Sequence, residues 1–145
     1  MAAQTFTVKT PCITDGRSHM PLARTDTLMS GLNYYAPGRK NKLHTHPGED
    51  HMFVVLDGQA TFFDREQTAT VLNKGEGILL PEGHFYQFES SGDTALALLR
   101  FAAYKADRKD VRRVDASGAN AKTEDEMDYV CVDGSPVEGE EWTLS

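Results

Sequence analysis

Between Leu43 and Phe101, apolar and polar positions change places every few residues. Short β-like runs fall at 52–56, 60–63, 69–72, 77–80, 84–88 and 94–103. Turn-forming sequences separate them: Asp57-Gly58, Asp64-Arg65-Glu66, Asn73-Lys74-Gly75, Pro81-Glu82-Gly83 and Ser90-Ser91-Gly92-Asp93. Strands this short, broken by turn chemistry at regular intervals, predict an antiparallel sandwich or barrel. A further strand is predicted over 28–36, interrupted by Gly31 and closed by the Pro37-Gly38 turn. Residues 1–31 otherwise read as an irregular N-terminal segment with one β-like run at 5–8. Beyond Tyr104 the chain turns polar. There, 110–127 is the one helix or linker candidate and 129–132 a late strand. Residues 138–145 read as a surface tail with Trp142 as its single anchoring contact.

A length of 145 residues predicts one domain over 1–145, with a barrel core at about 28–104 and a C-terminal extension at 105–145. The 39% hydrophobic and 26% charged fractions are those of an ordinary globular chain. No apolar run approaches the ~20 residues that span a bilayer, and the N-terminus lacks the basic start and apolar middle of a signal peptide. Two distant cysteines, Cys12 and Cys131, are too few for a disulfide framework, which predicts a reduced, cytoplasmic setting. The net charge of -7 is unevenly placed. Residues 123–145 hold eight of the 22 acidic residues and none of the 15 basic ones, so they carry -8 and the rest of the chain +1. That leaves no strong basic field for nucleic acid. The short basic cluster of Lys105, Arg108, Lys109, Arg112 and Arg113 is interleaved with Asp107 and Asp110. It reads as a solvated face or a dock for the acidic tail.

Candidate chemistry concentrates in 38–58, GRKNKLHTHPGEDHMFVVLDG, which holds three of the five histidines: His44, His46 and His51. Imidazole is the commonest protein metal ligand, and several at short spacing on a β-scaffold can converge on one ion. Alternate strand residues share a face, so His44 and His46 are expected to point one way. After the Pro47-Gly48 turn, His51, Phe53 and Val55 share a face of the next strand. Glu49 reads as turn surface. His19 is isolated and reads as a surface or core-satisfied histidine.

The order and spacing of these residues resemble the cupin superfamily, small double-stranded β-helix (jelly-roll) barrels. The first cupin motif is Gly, five residues, His-x-His, three or four residues, Glu, six residues, Gly. Here Gly38, His44, His46 and Gly58 fit it, with His51 at the glutamate position. The second motif is Gly, five residues, Pro-x-Gly, two residues, His, three residues, Asn. Gly75, Pro81 and Gly83 fit it, with Tyr86 at the histidine position and Ser90 at the asparagine position. The resemblance covers roughly 30–103 and implies an all-β jelly-roll barrel. It leaves function open, because the superfamily hosts dioxygenases, decarboxylases, lyases, isomerases and non-catalytic binders.

By that resemblance, His44, His46 and His51 would hold one divalent ion, Fe(II) first, with Mn, Ni or Zn as alternatives. Asp50 and His84 are further ligand or supporting candidates. Tyr86 is open between a phenolate ligand, a neutral phenol that donates a proton or orients substrate, and an aromatic wall. Tyr34, Phe53, Phe63 and Phe88 are candidates to line an apolar pocket, or are barrel core. Arg100 interrupts an apolar strand, so it either faces the pocket to bind a carboxylate or faces outward. Three-histidine cupin sites imply oxygen-dependent cleavage, so the leading expectation is an Fe(II)/dioxygen dioxygenase of a small chelating catechol or β-diketone. The alternatives are a metal-dependent lyase or isomerase of a small carboxylate or sugar acid, and a non-catalytic small-molecule binder. A homodimer is the expected assembly, with no nucleic-acid or membrane partner.

Overall fold

A computed structural model of the chain describes residues 1–106, 113–119 and 130–145. Eleven strands follow one another: β1 Lys9–Arg24, β2 Leu28–Tyr35, β3 His44–Thr45, β4 Glu49–Asp57, β5 Gln59–Phe63, β6 Ala69–Asn73, β7 Gly77–Leu80, β8 Gln87–Ser90, β9 Leu96–Tyr104, β10 Val114–Asp115 and β11 Cys131–Thr143. Among the described residues there is no helix, and so none long and apolar enough to cross a membrane.

A six-stranded sheet in the order β11-β1-β2-β9-β4-β7 faces a three-stranded sheet in the order β6-β5-β8, and every pairing is antiparallel. The stretch 38–44 runs beside β8, joined by backbone bonds between Asn41 N and Phe88 O (3.1 Å) and between His44 and Tyr86 in both directions (3.0 and 2.8 Å). Thr45 and His44 pair on their other side with Val114 and Asp115. The short β3–β10 pair thereby continues the smaller sheet, and the two sheets form the expected jelly roll.

Alternation along β4 and β9 sends Phe53, Val55, Leu96 and Leu98 inward to meet Phe62, Tyr86 and Phe88 from the smaller sheet. A second cluster of Ile13, Leu32, Tyr34 and Ala97 lies on the outer face of the six-stranded sheet, where Trp142 packs against it. Trp142 Nε1 donates to Asp57 Oδ2 at 2.9 Å, the anchoring contact expected of that residue.

Two terminal readings are corrected. Residues 9–24 are the longest strand rather than irregular chain, although Pro11 and Pro21 sit at its bulges and break the alternation that would have revealed it. The acidic tail is no loose surface segment: 131–143 forms β11 along β1, and as an edge strand it can turn its glutamates to solvent. Of the helix or linker expected at 110–127, only 113–119 is described, and it holds β10.

Candidate metal centre

The ligand-bearing side chains are set by one turn and one strand. In His46-Pro47-Gly48-Glu49, proline occupies the second position and Gly48 the third with φ +75°, and Glu49 N donates to His46 O at 3.3 Å. This is type II turn chemistry, which needs a residue free to adopt positive φ at the third position. The turn folds Glu49 back towards His46. From Glu49 onwards the period of two carries Glu49, His51, Phe53 and Val55 on the inner face of β4, all buried.

The result is a buried cluster of His46, Glu49 and His51, each offering a ligand atom within 4.8 Å of the others. Glu49 Oε2 lies 2.8 Å from His51 Nε2 and 3.4 Å from His46 Nδ1. The two imidazoles stack with ring centroids 4.0 Å apart. Tyr86 Oη meets His46 on its other nitrogen, Nε2, at 3.2 Å. His51 Nδ1 is buried with no hydrogen-bond partner. Burial pushes the His51 pKa down to about 4 against the opposing pull of Glu49, so its imidazole is neutral and keeps a lone pair to offer. Two imidazoles and a carboxylate are a donor set that fits a divalent first-row ion.

His44 stands next to this cluster, not in it. Its ring meets His46 edge-on at 4.9 Å between centroids. Its Nδ1 is already engaged, 2.5 Å from Lys42 O and 3.1 Å from Arg113 Nη2. Burial, and after it the guanidinium of Arg113, hold the His44 pKa well below the usual histidine value. Among the described residues, the ligand atoms that lie within 4.8 Å of one another are those of His46, Glu49 and His51, with the His44 ring beside them.

The remaining candidates separate cleanly. Tyr86 is buried at the centre, and burial raises its phenol to about 12, so it is a neutral hydroxyl at neutral pH. Asp50 is turned away and accepts from Glu82 N at 2.8 Å, tying down the turn after β7. His84 is exposed at the rim of a groove of about 180 Å³ that Phe63 and Tyr86 also line. Phe53 and Phe88 are core side chains packed on Tyr86 and on each other. Tyr34 does not reach the site; it lies on the outer face against Trp142. Arg100 faces inward, buried on β9 opposite Phe53. His19 is a core-satisfied histidine, its Nδ1 2.7 Å from Asn33 Oδ1.

Two site residues escaped the sequence reading. Glu49 was legible: the alternation that groups His51 with Phe53 and Val55 reaches Glu49 one step earlier. Arg113 belonged to the basic cluster read as a solvated face or tail dock, yet it is 3% exposed and contacts His44. Of that cluster, Lys105 is a surface residue 3.5 Å from Glu82, while Arg108, Lys109 and Arg112 lie outside the described residues.

Comparison with known proteins agrees with the architecture. The family model described as a cupin domain matches residues 31–101. The chain is similar in structure to the cupin domain of Schizosaccharomyces pombe Cnp3, at TM-score 0.59 and 16% identity over 65% of this chain and 69% of that one. It is similar to the DMSP lyase DddQ from Ruegeria pomeroyi, at TM-score 0.54 and 20% identity over 65% of this chain and 45% of that one. It is also similar to an oxalate oxidase solved with the substrate analogue glycolate, at TM-score 0.56 and 18% identity over 62% and 52% of the two chains. No curated protein sequence matches it. With both motifs on the expected strands and the domain match spanning the barrel, the chain belongs to the cupin superfamily.

Proposed function

We propose that this protein is a metal-dependent cupin enzyme that uses Fe(II) and dioxygen on a small chelating substrate. The observation that carries this reading is the buried set of two histidines and one carboxylate, His46, Glu49 and His51. Such a set leaves open positions on an octahedral ion and is the arrangement associated with non-haem Fe(II) oxygenases. An ion held there would supply Lewis acidity towards the substrate oxygens and one-electron chemistry towards dioxygen. Glu49 contributes the one negative charge that a three-histidine set lacks, and it holds both imidazoles in register through its Oε2.

The protein groups around that position have separable tasks. Tyr86 keeps its proton, fixes the His46 ring through Nε2, and is placed to donate a hydrogen bond to a substrate oxygen. Phe53, Phe62 and Phe88 surround the phenol and exclude water from it. The groove rimmed by His84 and lined by Tyr86 offers the way in.

A second reading, a metal-dependent lyase with Tyr86 as the acid or base, is favoured by the same buried hydroxyl and needs no oxygen. Oxygen uptake by the Fe(II)-loaded chain against small chelating acids, catechols and diketones divides the two. Consumption coupled to substrate loss is expected; turnover that proceeds at an equal rate without oxygen gives the lyase reading instead. No uptake of iron, manganese, nickel or zinc would overturn both.

A further inference from the structure

Beside His46 lies a small cavity of about 20 Å³, lined in part by Arg100 and Arg113. The two guanidinium groups arrive independently. Arg100 is carried on β9, and Arg113 is delivered by the β10 pairing that docks Val114 on Thr45. They are 7% and 3% exposed. Two amides, Asn33 and Asn41, share the lining with the rings of Tyr35, His44, Tyr86 and Phe88. Each has its side-chain oxygen committed elsewhere: Asn33 Oδ1 to His19 Nδ1 at 2.7 Å, and Asn41 Oδ1 to the backbone N–H of Phe88 at 2.8 Å. Each amide is left with its NH₂ to offer. Guanidinium groups and amide NH₂ groups can only donate. The positive field is felt across the site, since Arg100 and Arg113 both act on His44 and Tyr86.

We propose that this cavity is a carboxylate-binding subsite, and that the substrate of the metal centre is a small aliphatic carboxylic acid with a second oxygen donor. A planar carboxylate is the acceptor that matches two forked donors. A volume of about 20 Å³ admits one or two water-sized groups, which suits carboxylate oxygens and is too small for an aromatic ring. His46 lines the cavity and also belongs to the ligand trio, so the subsite and the candidate metal centre share a wall. The substrate assignment rests on the metal reading above. The anion subsite itself does not, because it is built from other side chains.

The test is calorimetric titration of the full chain, metal-free and Fe(II)-loaded under argon, with malonate, its neutral diamide malonamide, and inorganic sulfate. Malonate is expected to bind the metal-free chain at least about tenfold more tightly than malonamide or sulfate. Arg113→Gln and Arg100→Gln are each expected to weaken malonate by about 10- to 100-fold without changing the amount of metal bound. Arg113→Lys should recover part of the loss. Equal binding of malonate and malonamide overturns the subsite, as does indifference of malonate binding to both arginine variants. Sulfate binding as tightly as malonate overturns the assignment to carboxylates. The comparison of the three probes on the unmodified chain holds even if a variant fails to fold. Carboxylate selectivity in a chain that takes up no metal would overturn the metal reading and leave the subsite standing; metal uptake without selectivity does the reverse.

Discussion

His46 divides two regions of opposite chemistry. On one side, Glu49 and His51 bring ligand atoms within 4.8 Å of one another and of His46; on the other, Arg100, Arg113, Asn33 and Asn41 line a small cavity. The two regions also differ in how the chain builds them. The acceptor side comes from six consecutive residues, 46–51, folded by one Pro-Gly turn and one strand start. The donor side is assembled from four places between Asn33 and Arg113 that only the β2–β9, β8–41 and β3–β10 pairings bring together. A local segment can therefore specify ligands for a cation, while the recognition of whatever reaches that cation is written in long-range contacts.

The sharpest way to break this division is His46→Ala, which removes the one residue both regions share. Metal content, measured by elemental analysis of untagged protein, is expected to fall from near one ion per chain to background. Next in size is Tyr86→Phe. Losing the hydroxyl while keeping the ring should lower turnover by about 100-fold and leave the metal content unchanged. Loss of metal in that variant would make the tyrosine a ligand.

A smaller effect sharpens the contrast through pH. In the metal-free chain His51 titrates near 4, and His44 well below its usual value, because burial disfavours the charged rings. Between about pH 6.5 and 4 the unfolded chain therefore binds more protons than the folded one, so stability falls as pH drops through that window. The slope is at most about 1.4 kcal/mol per pH unit for each histidine, read from urea midpoints at successive pH values. A flat profile would mean that these rings are not held neutral by burial.

The same contrast explains what could be read in advance. The jelly roll and the strands from 28 to 104 follow from alternation and turn residues, and the spaced motif picks out His46, His51 and Tyr86, which the fold brings together. Glu49 is hidden by counting residues to the glutamate position; the turn shortens that gap, and strand parity is the better guide. Tyr34 stays open in the sequence between pocket and core because β2 is buried on both sides after Leu28, so its burial carries no period of two. Arg113 is beyond local reasoning altogether: its contact with His44 spans 69 residues and depends on a two-residue strand.

The central claim is that Glu49, and not His44, completes the metal trio with His46 and His51. Metal stoichiometry of Glu49→Gln and His44→Ala, each purified untagged and reconstituted with Fe(II), tests it directly. Glu49→Gln is expected to lose the metal, because the amide brings no charge, while His44→Ala keeps close to one ion per chain. Retention of metal by Glu49→Gln together with its loss from His44→Ala would restore the three-histidine site and contradict the assignment.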